Sequence, residues 1–214
     1  MNITFLVGNG FDMSLGIDTS YRGFYQWYCE QPSNSDHIEK FKENIKNDIE
    51  GDGENWADFE MGLAKYTGHF TIDTVSEFCD CYEDAHENII AYLEQEKSKY
   101  EIELSTVEAT RLRNGLSTFY NELYPKEKRL FKEIFDSDKQ NDSQINFISF
   151  NSTDLLDKCI NTLSKAPLSR WQYNLTKTLS LNPNVVHIHG TSDEFPILGV
   201  SNESQIKNQE LLEN

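Results

Sequence analysis

The sequence predicts an α/β fold, a parallel sheet core carrying a large helical insertion, and three observations predict it. A short apolar run, Ile3 to Val7, ends in two glycines one residue apart. Two further β-prone runs, Ile145 to Phe150 and Val185 to His189, appear only in the second half of the chain. Between the first and second runs lie roughly 100 residues of charged sequence with helical periodicity. At 214 residues the chain is long enough for one substantial core. It reads as a single domain, 1–214, with the helical insertion at about 37–136.

Ile3 to Val7 reads as a buried strand because it is short, continuously apolar and followed directly by turn glycines. Gly8 and Gly10 let the chain turn off that strand and let backbone N–H groups approach a phosphate with no Cβ in the way. A helix starting near Phe11 or Asp12 would add its own unpaired N–H groups. As a Rossmann fingerprint the loop is incomplete: Met13 stands where a third glycine is required, and the Walker lysine is absent. Two readings stay open for Gly8-Asn9-Gly10, a nucleotide loop and a tight strand-to-helix turn.

Tyr21, Phe24, Tyr25 and Tyr28 recur at helical spacing, which is the pattern of core packing rather than of a base-stacking platform. From His37 to about Asp136 the sequence is helical and charged, with breaks at Gly51 to Gly53, near Gly68 and near Pro125. Phe59, Leu63 and Tyr66 share one face; so do Phe78, Tyr82, Ala85, Ile89 and Leu93, and likewise Leu112, Leu116, Phe119, Tyr120, Leu123 and Tyr124. The turn-forming run Ser137 to Ser143 precedes the second strand, and Asn151-Ser152-Thr153-Asp154 follows it. Ser152 or Thr153 is a natural N-cap for a helix carrying Leu155, Leu156, Cys159, Ile160 and Leu163. After Pro167 and a segment containing Trp171, Pro183 introduces the third strand, and Ile197 to Val200 fits a fourth.

Composition narrows the classes. Thirteen Phe, 10 Tyr and 3 Trp supply enough apolar surface to exclude general disorder. A formal charge of -17 argues against direct nucleic-acid binding, which needs basic surface to displace counterions. A small anionic ligand stays compatible with it, because backbone amides bind anions locally. The four cysteines, Cys29, Cys79, Cys81 and Cys159, form no C-x-x-C pair, so reduced buried thiols are expected and structural zinc is not. No secretory signal opens the chain, and no apolar run approaches the roughly 18 residues of a membrane helix. A cytoplasmic, soluble protein is expected.

Open α/β sheets bind ligands beyond the carboxyl ends of their strands. Here those ends carry Gly8-Asn9-Gly10, Asn151 and His189-Gly190. His189 is the candidate for proton transfer, and Gly190 beside it leaves room for a ligand. Asn151 offers both a donor and an acceptor, enough to orient a water or a ribose hydroxyl, and equally enough to cap a turn. Asp12 is either a helix cap or a catalytic carboxylate. Alternation along a strand would put His187 and His189 on one face, as a metal pair requires, with Asp12 or Asp154 completing the set. Without an H-E-x-x-H motif or a dense carboxylate cluster no metal is expected, and His187 reads as a support for the site.

These residues resemble the bacteriophage abortive infection protein AbiH family. The resemblance is carried by Val7-Gly8-Asn9-Gly10-Phe11-Asp12 with Gly16-Ile17, by Trp56-Ala57-Asp58-Phe59-Glu60, by Phe150-Asn151-Ser152-Thr153, and by His187-Ile188-His189-Gly190 leading to Ile197-Leu198-Gly199. The same order is more distantly similar to SIR2-like NAD-binding proteins, whose pattern runs G-A-G, then G-I, an N-x-D strand end and H-G. Gly8, Gly10, Gly16 and Ile17 match the first block, Asn151 the Asn, and His189-Gly190 the H-G.

That similarity implies a SIR2-like, Rossmann-like sheet core. It implies NAD held by Gly8, Asn9, Gly10, Phe11, Gly16, Ile17 and Gly190, with Asn151 and His189 at the nicotinamide ribose and Asp12 close to the sugar. The pattern departs at three positions: Asp12 replaces a Ser, Asp18 a Pro, and Thr153 the Asp two beyond Asn151. No four-cysteine module is present, so an NAD hydrolase fits better than a deacetylase.

Three functions follow as alternatives. The first is a phage-defence effector that cleaves the N-glycosidic bond of NAD or a related nucleotide. The second is a non-catalytic nucleotide sensor, and the third a metal-dependent hydrolase using His187 and His189. The expected partner is a small nucleotide, with a homo-oligomer or a second defence component as further partners. Four readable strands and a polar, helical end at Glu203 to Asn214 suit either a short member or a fragment.

Overall fold

A computed structural model describes residues 2–51, 56, 58–99, 106–138, 142–164, 178–194, 196–200 and 202–212. The Trp171 segment, Gly53, Ala57, residues 139–141 of the turn before the second strand, and the last two residues lie outside the described residues. The protein is α/β and mostly helical, with a three-stranded parallel sheet among the described residues. By its internal packing the chain divides into two compact units: 1–12 with 101–188, and 13–100 with 189–214.

The first unit holds the sheet. β1 (Asn2–Val7), β2 (Asp142–Ser149) and β3 (Thr178–His187) lie in the order β1-β2-β3, all parallel. β1 pairs with β2 in unbroken register from Asn2 opposite Gln144 to Val7 opposite Ser149. β2 pairs with β3 from Asp142 opposite Thr178 to Ile145 opposite Leu181, and resumes at Phe147 opposite Val185. Asn182, Pro183 and Asn184 bulge from β3 at this irregularity, where Pro183 sacrifices no ladder bond. The Asn182 Nδ2 donates to Asn146 Oδ1 at 3.0 Å across the bulge.

One face of the sheet is apolar and covered. Ile145, Phe147 and Leu181 are buried, with Ile3, Phe5, Val7 and Val185 packed against them. Phe5 stacks on Phe147 at 5.9 Å and meets Phe119 edge-on at 5.2 Å. The helices α6 (Thr106–Thr118), α7 (Pro125–Ser137) and α8 (Leu155–Ser164) supply Leu116, Phe135, Leu156, Ile160 and Leu163 to the same core. The continuous apolar run of β1 predicted burial on both faces, and there the structure differs. Its residues alternate, and Leu6 on the opposite face is 68% exposed, as is Val186 of β3 at 55%.

The second unit is helical, apart from the short turn helix α1 (Gly10–Ser14), which spans the division. Its helices are α2 (Tyr21–Tyr28), α3 (Asp36–Glu50), α4 (Phe59–Tyr66) and α5 (Val75–Ser98). Three begin on the caps their sequences carry: Ser20, Ser35 and Asp58 each accept from a backbone N–H of the first turn. Phe24, Tyr25, Tyr28, Phe41, Trp56 and Phe59 form an aromatic core, closed by Ala85, Ile89 and Leu93 of α5. The helical periodicities of α2, α4 and α5 therefore fall on buried faces as expected. Tyr124 does not: it is 75% exposed, because α6 gives way to a 3-10 turn at Phe119–Glu122 and Pro125 opens a new helix.

The fourth strand is not formed. Residues 196–200 carry no strand, and α5 holds them instead. The His86 Nε2 bonds the Pro196 carbonyl at 2.7 Å, and the Tyr82 hydroxyl donates to the Leu198 carbonyl at 3.0 Å. All four cysteines are free; Cys81 and Cys159 are buried, Cys29 is half-buried and Cys79 is exposed, against the expectation that all are buried. Among the described residues no helix is long and apolar enough to cross a membrane.

Candidate functional site

Parallel strands deliver their carboxyl ends to one edge of the sheet, and in the first unit that edge gathers the polar residues. Val7 and Ser149 are register partners, as are Ser149 and His187. Beyond them the chain continues into Gly8-Asn9-Gly10, into Asn151 to Asp154, and out of β3. Phe150 N–H donates to the Val7 carbonyl at 2.9 Å and Ile188 N–H to the Ser149 carbonyl at 3.0 Å, so the three ends are laced together one residue past the ladder.

Asn151 sits at the centre of this edge and is 5% exposed. Its main chain is held: the N–H donates to Ser149 Oγ at 3.1 Å, and the His187 Nδ1 bonds its carbonyl at 3.0 Å. Its side chain is not held, since neither Oδ1 nor Nδ2 has a hydrogen-bond partner among the described residues. Leaving a buried polar group unsatisfied costs about 1–3 kcal/mol, and native structures do so rarely. A buried amide on a fixed main chain, with both of its functions open, fits a ligand that offers one donor and one acceptor.

Asp12 and Thr153 form a second contact at the same edge. Asp12, on α1, is wholly buried, and the Thr153 hydroxyl donates to its Oδ2 at 2.7 Å. Thr153 is thereby used as a donor to Asp12, and α8 begins two residues later, at Leu155, rather than on Ser152 or Thr153. Asp154 pairs with Lys158 at 2.9 Å.

His187 is the residue whose neighbours were hardest to foresee. Its Nε2 lies 2.8 Å from Oδ2 of Asp157, in the first turn of α8, and its side chain is one-tenth exposed. The topology carries the signal for this pair. A helix that follows β2 starts at the carboxyl edge of the sheet, and a parallel β3 ends there too. With both ring nitrogens engaged, His187 has no lone pair to give a metal in this geometry. Among the described residues no group of three or more His, Cys, Asp and Glu is placed to hold one.

The glycines divide into two kinds. An added Cβ at Gly8 or Gly10 would meet nothing within 4 Å, and neither has a positive φ. Gly16 and Gly190 have φ of 84° and 75°, a region that L side chains rarely adopt. Asn9 is exposed, and Phe11 packs against the core of the sheet unit, its N–H donating to the Gly8 carbonyl at 3.0 Å.

The structure thus brings Gly8, Asn9, Gly10, Phe11, Asp12 and Asn151 together in one unit. Gly16, Ile17, His189 and Gly190 belong to the other. There Ile17 is a buried core residue. His189 is half-buried, follows the end of β3 by two residues, and accepts the Ile197 N–H on its carbonyl at 2.8 Å. Lys97 and Glu94 of α5 bond Ser192, at 3.2 Å and 2.6 Å, and so hold the loop after it.

A three-stranded parallel sheet with a polar carboxyl edge in one unit, and mostly helical content, define the class as α/β. The bacteriophage abortive infection AbiH family model matches residues 4–214, nearly the whole chain, and the protein belongs to that family. The family places it among proteins of phage abortive infection. No curated protein and no solved structure matches the chain.

Proposed function

We propose that this AbiH protein is a phage-defence effector that binds NAD or a related nucleotide in a SIR2-like site and hydrolyses its N-glycosidic bond. The observation that carries the proposal is the buried, main-chain-locked Asn151 with both side-chain functions open. An asparagine in that state at a strand's carboxyl end suits a ribose hydroxyl or an attacking water, each of which can both donate and accept. Gly8 and Gly10 support it as well, because the open space above them leaves the backbone accessible to a pyrophosphate.

The Asp12–Thr153 bond adds support of a different kind. The SIR2-like pattern carries a hydroxyl in its first block and a carboxylate after its Asn. This chain carries the carboxylate first and the hydroxyl second, and the two are bonded to each other. Two of the three departures from the pattern are thereby parts of one contact.

In the proposed reaction, the bond between the ribose C1′ and the nicotinamide nitrogen breaks, and its electron pair leaves with nicotinamide, which becomes neutral. A water oriented by Asn151 forms the new C1′–O bond and loses its proton to His189, giving ADP-ribose. Gly16, Ile17 and Gly190 complete the proposed cofactor-binding set, and no metal takes part.

Incubating the purified protein with NAD and separating the products tests this. Release of nicotinamide, lost in both Asn151→Ala and His189→Ala, is the expected result. Binding of NAD without turnover would replace the enzyme by a nucleotide sensor, the second reading. Intact NAD and no heat of binding in calorimetry would overturn both.

A further inference from the structure

We propose that Asp157 and His187 are positioning residues that lock the main chain of Asn151 and so aim its side-chain amide at the ligand; the inference rests on the nucleotide reading above. The hydrogen-bond chemistry is restrictive. The Asn151 carbonyl and the Asp157 carboxylate are both acceptors with no proton to give, and they face the two nitrogens of one imidazole at 3.0 Å and 2.8 Å. The ring donates both bonds together only when both of its nitrogens carry hydrogen, the form in which His187 bridges a carboxylate and a main-chain carbonyl. Charge-assisted bonds of this kind are shorter and about twice as strong as neutral ones.

The lock is complete at the main chain and absent at the side chain. Ser149 Oγ accepts the Asn151 N–H, and Ser149 is itself fully buried. His187 takes the Asn151 carbonyl from the next strand, where it is the register partner of Ser149. Asp157 holds His187 from the first turn of α8. Three successive elements, β2, α8 and β3, therefore each supply one member of a relay whose end is Asn151. What remains free at Asn151 is rotation about its side-chain bonds, and burial limits that.

The test combines a double-mutant cycle with a spectroscopic reading. Asp157→Asn keeps the size of the side chain and removes its charge. It is expected to weaken NAD binding about tenfold in calorimetry, in the range found when a supporting hydrogen bond behind a binding group is removed. In an Asn151→Ala background the same change is expected to have no further effect, because the relay then ends on a methyl group. His187→Gln is expected to behave like Asp157→Asn, and if it fails to fold, Asp157→Asn carries the test. Asp157→Glu is expected to restore part of the loss.

In histidine labelled with 15N, His187 of the wild-type protein is expected to show two ring N–H groups under the binding conditions, and one in Asp157→Asn. An Asp157→Asn protein with unchanged affinity, or one weakened equally with and without Asn151, overturns the proposal. So does a single ring N–H at His187 in the wild type. If the wild-type protein binds no NAD, the nucleotide reading fails by itself and the relay is decided by the spectra. The Asn151 side-chain amide resonances then stay single in the wild type and broaden or split in Asp157→Asn; spectra unaffected by the substitution overturn the relay.

Discussion

Gly16 and Gly190 are glycines that the backbone requires, whereas Gly8 and Gly10 are not. A left-handed φ costs an L side chain about 1–2 kcal/mol, so Gly16→Ala and Gly190→Ala are each expected to lower stability by that amount, read as a fall in Tm of about 2–4 °C per kcal/mol. Gly8→Ala, with nothing within 4 Å of the new methyl, is expected to leave Tm unchanged while abolishing NAD binding. A Gly8→Ala protein that is destabilised like Gly16→Ala would mean that the loop glycine serves the fold. The positions of both glycine pairs were plain in the sequence, but the difference between them was not. It depends on φ and on what stands above each Cα, and neither is a local property of the residue order.

Among the elements, α2 and α4 are joined by a polar contact inside an aromatic core. The Tyr21 hydroxyl donates to both oxygens of Glu60, at 3.0 Å and 2.9 Å. Burial, with Asp58 close by, raises the Glu60 carboxyl above its ordinary 4.5, and burial beside Glu60 raises the Tyr21 phenol. A carboxyl whose folded value is raised binds its proton more tightly folded than unfolded. Its contribution to stability is therefore full below pH 4.5 and is lost as pH rises through the higher folded value. Glu60→Gln keeps an acceptor for Tyr21 and removes the titration. Denaturant titrations are expected to show the variant gaining on the wild type as pH rises from 4.5 toward neutrality, and a constant difference would refute the assignment.

Strands β1 and β2 and the buried faces of α2, α4 and α5 were legible from local pattern, whereas β3 was legible only from Val185 to His187, since it begins at Thr178, before Pro183, and ends two residues short of His189. Ile197 to Val200 has the composition of a strand too. It fails to pair because its neighbours at 196 and 198 are held through their carbonyls by side chains more than 100 positions away. Asn151 was legible as a strand-end residue. Its clamp was not, because Asp157 and His187 are separated by 30 positions and meet only through the β2–α8–β3 topology.

At the scale of the whole molecule, charge dominates. A formal -17 spread over 214 residues disfavours the compact state through self-repulsion, and salt screens that repulsion. Tm measured by calorimetry is therefore expected to rise as sodium chloride is added from low ionic strength. A Tm that falls under the same titration would show that attractive ion pairs such as Asp154–Lys158 outweigh the net charge. The -17 also sets a requirement on the ligand. In so acidic a protein, backbone N–H groups that face an anion locally offer it a site, which is how the proposed nucleotide would be held.

The bulge in β3 has a consequence of parity. Between its two stretches of pairing, β3 advances four residues, Leu181 to Val185, while β2 advances two, Ile145 to Phe147. The surplus is even. Side chains alternate faces with each residue, so an even surplus returns the strand to the phase it left. His187 therefore points to the same face as Leu181. Across the bulge His187 thus stays on the side of the sheet where it meets Asn151 and Asp157.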